Sequence, residues 1–214
     1  MIWLVWLIIM FVNAIIITTV VDIILMGSFT LKFAKKCALP QFMVSKDNRI
    51  DMQKGNQCSG YSTAYILRHY GIPANGEEVY EKMSNKMANG YVYPKEIKRM
   101  FEKYGFCVKY CVGNLHALKR EVAKGNPVIV FIKVRSDKNW LHYVPVVGYD
   151  EEHIFLAESL AELGHCNEEV YYNRKISKKD FLRLWNTSML KMPLYTHTFY
   201  VIEKTSKIVR RDSV

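Results

Sequence analysis

Hydrophobic and polar positions alternate in different ways along this chain, and each way predicts a different kind of element. Residues 2–21 read IWLVWLIIMFVNAIIITTVV, apolar on every face, with Asn13 the one strongly polar interruption. At a rise of about 1.5 Å per residue such a run reaches about 30 Å, the thickness of a hydrocarbon core, so it predicts a transmembrane helix. A cleaved signal peptide would need a basic start, a shorter apolar stretch and a small-x-small cleavage site. None is present, and Phe33-Ala34-Lys35-Lys36 follows the run, so an uncleaved anchor is expected. Trp3 and Trp6 then belong to one membrane interface and Asp22 to the other.

After Pro40 the spacing becomes helical. Cys58–Tyr70 (CSGYSTAYILRHY) predicts a helix stopped by Gly71 and Pro73. A second helix is expected over Glu77–Met87 with Asn75 as cap, and a third from Pro94 to Gly105, with proline in its first turn and glycine closing it. Phe106–Val112 reads as a strand, and Leu115–Lys124 as a helix ending at Gly125. Further on, strands dominate. Pro127–Val134 (PVIVFIKV) has the branched, continuous apolar character of a buried strand. His142–Tyr149 and Ile154–Ala157 follow, joined by the turn Asp150-Glu151-Glu152. Ser177 with Asp180 forms a capping box for a helix reaching Trp185, and Thr198–Ile202 is the last strand. This order gives an α+β chain with a helical lobe and a sheet lobe. The expected organisation is an anchor over 1–26, a polar basic linker over 27–40, one domain over 41–204 and a basic tail over 205–214.

Charge sharpens that division. The first 31 residues carry one charge, Asp22, while the remainder holds 30 basic and 19 acidic side chains, a formal +11. Lys32, Lys35 and Lys36 lie just after the apolar run, so the positive-inside rule places the C-terminal domain in the cytoplasm. The basic residues are interspersed with acids and lack interleaved aromatics, which argues against nucleic acid as a partner. The five cysteines, Cys37, Cys58, Cys107, Cys111 and Cys166, leave one over in any disulfide scheme and match no zinc spacing. That pattern fits a reducing compartment.

Candidate chemistry centres on Cys58. At the first position of its helix, unpaired amides and the helix dipole favour a thiolate, the form that attacks carbonyls. His142 opens a buried strand and is suited to take the thiol proton and return it to a leaving amine. Glu158 comes sixteen residues later at the end of the next strand. If the two strands pair through their short turn, it returns beside His142 and orients the imidazole. An amide of Gln53 or Gln57, just before the cysteine, is placed to help the Cys58 backbone N–H bind an oxyanion.

The arrangement Gln53-x4-Cys58-Ser59-Gly60, the helix end Leu67-Arg68-His69-Tyr70-Gly71, and His142-Tyr143-Val144-x-Val146-Val147-Gly148-Tyr149-Asp150 resembles the bacteriocin-processing, double-glycine leader peptidase-like family of papain-like cysteine peptidases. The segment Gly125-Asn126-Pro127-Val128-Ile129-Val130 agrees, and the likeness runs roughly from Pro40 to Lys204. It implies a papain-like fold, with a helical lobe bearing Cys58 and an antiparallel sheet lobe bearing His142. It further implies a peptide or protein substrate, no cofactor, Cys58 as nucleophile, His142 as base and a glutamine oxyanion donor, for which Gln53 is preferred over Gln57. Three departures stand out. Glu158-Ser159 occupies the usual Asp-Pro place, Gln53 lies five rather than six or more residues before the cysteine, and Cys58 is followed by serine rather than glycine. With no phosphate-binding loop in the chain, any transporter it serves would be built from separate membrane partner proteins. Two other readings stay open at this point: a thiol-dependent transamidase, and a membrane-tethered peptide-binding module on a degenerate peptidase fold.

Overall fold

The computed structural model describes residues 2–36, 39–166, 168–190 and 192–204. The apolar run forms one helix, α1 (Ile2–Met26), long and apolar enough to cross a membrane. Its side chains face outward until the last turns, where Asp22 and Met26 are buried against the rest of the protein. The carbonyls that any helix leaves unpaired at its C-terminus find partners there. Lys95 Nζ donates to Ile24 O at 2.6 Å, and the Tyr195 hydroxyl donates to Gly27 O.

The segment expected as a linker contains a short strand, β1 (Thr30–Lys32), paired parallel with β3 (Phe106–Gly113). The remaining strands are β2 (Phe42–Met43), β4 (Val128–Lys133), β5 (Leu141–Tyr149), β6 (His153–Leu156), β7 (Arg174–Ser177) and β8 (Thr198–Lys204). Among the described residues they form one sheet in the order β1-β3-β8-β4-β5-β6-β7, antiparallel apart from the β1–β3 pair. β2 takes the edge of β5 beyond the end of β4. The predicted basic tail, 205–214, lies outside the described residues, as does Cys37.

Helices cover both faces of this sheet. α2 (Cys58–His69), α3 (Gly76–Glu81) and α4 (Pro94–Lys103) pack on one side, and α5 (Leu115–Val122) and α6 (Lys178–Trp185) on the other. β4 shows why its sequence is apolar throughout. Ile129 and Phe131 face the first set of helices, while Val128, Val130 and Ile132 face the second. A strand buried on both faces has no polar alternation to display.

One helix is shorter than its sequence predicts. α3 ends at Glu81 rather than Met87. Beyond it, Glu96 on α4 accepts hydrogen bonds from the Ser84 amide at 3.0 Å and hydroxyl at 2.7 Å, Asn85 turns to a φ of +56°, and Lys86 bridges to Val92. Tertiary bonds to a buried carboxylate thus outcompete local helix propensity.

Candidate active site

Cys58 is the first residue of α2. Gln57 precedes it as N-cap without a side-chain cap bond, and its carbonyl takes the amides of Gly60 and Tyr61. No side chain therefore caps the amides at the cysteine, where the helix dipole is positive. The close approach of α3 accounts for the glycine at position 60. A Cβ there would fall 2.4 Å from the Gly76 carbonyl oxygen, so only glycine lets α3 approach this close. From the next turn of α2, the buried Ser62 hydroxyl donates to Tyr143 O at 2.8 Å. That bond fixes the cysteine helix against β5 one residue from His142.

His142 is held in the β4–β5 ladder opposite Ile132. The turn after β5 is closed by Asp150 Oδ1, which accepts from the Glu152 amide at 2.8 Å and the His153 amide at 2.5 Å. β6 then runs back along β5, and the chain leaves the sheet at Ala157, whose amide donates to Pro145 O at 3.0 Å. This path delivers Glu158 to the imidazole. His142 Nε2 and Glu158 Oε1 are 2.7 Å apart. With Nε2 so engaged, Nδ1 is the ring nitrogen left free to exchange a proton with Cys58. All three groups are buried, at 4 %, 1 % and 0 % exposure for Cys58, His142 and Glu158.

Two residues that sequence reasoning passed over complete the cluster. Arg174 Nη1 donates to Glu158 Oε2 at 2.8 Å. Asn173 grips the glutamate backbone from both sides, accepting from its amide at 2.7 Å and donating to its carbonyl at 2.8 Å. The one signal for a cation here was indirect: a buried glutamate needs a counter-charge.

Electrostatics follow from this packing. Burial pushes the Glu158 carboxyl up, but the charge and hydrogen bond of His142, the Arg174 charge and the Leu160 amide hold it at about 2. Burial alone would lower His142. The Glu158 charge and the hydrogen bonds to Cys58 and Glu158 reverse this and raise it to about 10. The ring is thereby disposed to carry a proton beside the Glu158 carboxylate.

Gln53 sits beside this cluster. Its backbone amide donates to Ser159 O at 2.8 Å, its Oε1 accepts from the Ser159 hydroxyl at 2.7 Å, and its Nε2 donates to Gly55 O at 2.5 Å. The serine that replaces the expected proline therefore anchors the glutamine. Gln57 Oε1, in contrast, is buried and accepts no hydrogen bond from any described residue.

A family model described as the peptidase C39-like family matches residues 41–189. The chain belongs to that family. Solved structures agree with the C39-like, papain-type fold at low identity. The peptidase domain of Streptococcus ComA, a bi-functional ABC transporter, is 14 % identical, with a TM-score of 0.57 over 75 % of this chain and all of that one. A double glycine motif protease from an AMS/PCAT transporter, solved in complex with the leader peptide, is 15 % identical, with a TM-score of 0.52 over 76 % of this chain and 98 % of that one. Xylellain, a cysteine protease from Xylella fastidiosa, is 12 % identical, with a TM-score of 0.54 over 81 % of this chain and 92 % of that one. Comparison with curated proteins produced no match.

Proposed function

We propose that this chain is a membrane-anchored cysteine peptidase-like hydrolase that cuts peptide or amide bonds with Cys58, His142 and Glu158. The observation that carries the reading is the buried cluster of Cys58, His142 and Glu158, with His142 Nε2 2.7 Å from Glu158 Oε1. In this reading the Cys58 sulfur attacks the substrate carbonyl and its proton passes to His142 Nδ1. The oxyanion is met by the Cys58 amide and the remaining amide proton of Gln53. His142 returns the proton to the departing amine, leaving a thioester. Water, deprotonated by the same ring, then releases the acid. Glu158 holds the tautomer and the charge of the ring. The longer glutamate reaches the imidazole at hydrogen-bond distance, which supports a working triad over a degenerate one. A peptide substrate is in keeping with the leader peptide bound by the protease of similar fold. α1 would hold the domain at the bilayer, on the cytoplasmic side by the positions of Lys32, Lys35 and Lys36.

The test uses the full chain in neutral detergent. Iodoacetamide labelling of Cys58, mapped by mass spectrometry, should be at least tenfold faster in wild type than in His142→Ala. A mixed peptide library should be cut by wild type and by neither His142→Ala nor Cys58→Ala. Equal labelling in both proteins together with an uncut library would sink the reading.

A further inference from the structure

A cavity of about 450 Å³ lies where the membrane helix meets the domain. Its walls are mostly apolar, with Met26, Met87, Met189 and Met192 among them, and it runs along Leu141 and Tyr143, the two neighbours of His142 in β5. Tyr143, on the wall, is tied through its carbonyl to Ser62 of the cysteine helix at 2.8 Å. The cavity therefore spans from the Tyr143 side of β5 to the foot of α1. There it meets Asp22, which is 1 % exposed and lines the cavity. Its Oδ2 accepts no hydrogen bond from any described residue.

A carboxylate in this position is costly unless something meets it. Asp22 is the single charge in the first 31 residues, so the helix offers it no partner of its own. Among the described residues the domain side brings no ion pair to Asp22 either, and the Lys95 ammonium at the helix end donates to Ile24 O at 2.6 Å. Flexible methionine walls accept aliphatic chains of varied shape. A long apolar stem ending in a cation fits both features: the stem lies along the thioethers and the charge reaches Asp22.

We propose that this cavity is a substrate subsite that selects a lysine or arginine side chain of the bound peptide, with Asp22 of the anchor helix as the specificity-determining carboxylate. The inference rests on the proposed peptidase reading, and it makes the membrane helix part of the substrate site as well as a tether. Substrates would then be peptides presented at the membrane surface with a basic residue next to apolar ones.

Binding is measured so that turnover plays no part. The full chain carrying Cys58→Ala, in uncharged maltoside detergent, is titrated against fluorescent hexapeptide amides of leucine and alanine. A single lysine is moved through the six positions, and each peptide has a norleucine twin. At one or two positions the lysine peptide should bind at least tenfold tighter than its twin. Asp22→Asn should bring that ratio to within twofold of one, while Asp22→Glu keeps it above threefold. Equal affinities for twins at every position in the Asp22-bearing chain, or a preference that survives Asp22→Asn, would overturn the proposal. Failure of the wild type to cut any peptide would count against the peptidase reading and leave this ratio standing.

Discussion

Arg174 meets Glu158 at Oε2, 2.8 Å away, on the side of the carboxylate that His142 leaves free. The two oxygens thus have separate tasks. Oε2 is pinned by a buried guanidinium, while Oε1 is shared between His142 at 2.7 Å and the Leu160 amide at 2.9 Å. A glutamate has one more rotatable bond than the aspartate expected here, and the arginine removes the freedom that bond would bring. Arg174→Met would leave the Glu158 charge facing His142 alone. Unfolding in urea should show a loss of about 3–5 kcal/mol, the range for breaking a buried ion pair from one side. The double variant Glu158→Gln with Arg174→Met should lose less than the sum of the singles, because the two changes remove a shared interaction. Strict additivity would contradict the pairing.

The same cluster fixes how stability varies with pH. His142 stands at about 10 against an ordinary 6.5, so its contribution is complete below pH 6.5 and is lost as pH rises toward 10. Glu158 stands at about 2 against an ordinary 4.5, so its contribution is complete above pH 4.5 and is lost as pH falls toward 2. Thermal midpoints of wild type should therefore peak between these ordinary values and fall on both sides. Glu158→Gln removes the acidic titration and the charge that raises His142. The difference between wild type and Glu158→Gln should shrink at both ends of a scan from about pH 3 to about pH 10. A constant difference across the scan would mean that neither group titrates as the packing implies.

Gln53 gives a graded test of oxyanion binding. Ser159→Ala removes the hydroxyl at 2.7 Å that positions the carboxamide, but the Gln53 amide keeps its 2.8 Å bond to Ser159 O. Turnover of a cleaved peptide should fall several-fold in Ser159→Ala, with KM little changed. Gln53→Ala should cost about 10²–10³ in kcat, as loss of one oxyanion donor does. A Ser159→Ala loss as large as that of Gln53→Ala, or full activity in Gln53→Ala, would remove Gln53 from that role.

What the sequence revealed followed from local pattern. α2, α4 and α5 each run to a closing glycine, β4 and β5 are continuous apolar runs rich in branched residues, and Cys58 and His142 stand at ends of such elements. The meeting of His142 and Glu158 was legible too, because a short Asp-Glu-Glu turn dictates antiparallel return. Arg174 and Asn173 were not, since they sit in a polar run that reads as surface. Only the fold brings β7 beside β6 and buries them. β1 was hidden for a related reason. Three residues in a basic stretch show no period, and the pairing with β3 is supplied by a partner far along the chain. α3 overran because local propensity cannot see Glu96 waiting on another helix.

The junction of α1 with the domain is the last relationship open to direct test. Tyr195 is fully buried, its ring set edge-on to Phe29 at 5.4 Å, and its hydroxyl donates to the Gly27 carbonyl just past the helix end. Tyr195→Phe keeps the ring and removes the donor to this half-buried carbonyl. A cost of about 0.5–1.5 kcal/mol is expected, the usual net worth of one hydrogen bond. Hydrogen exchange should report it locally. Amides over residues 23–28 should exchange at least tenfold faster than in wild type, while those of α2 hold their rate, because Ser62 and Gly60 secure that helix elsewhere. Uniform acceleration across the domain would mean that the hydroxyl supports the core rather than the junction. No acceleration at all would mean that α1 hangs from the domain without docking, and the seat it gives Asp22 would be lost with it.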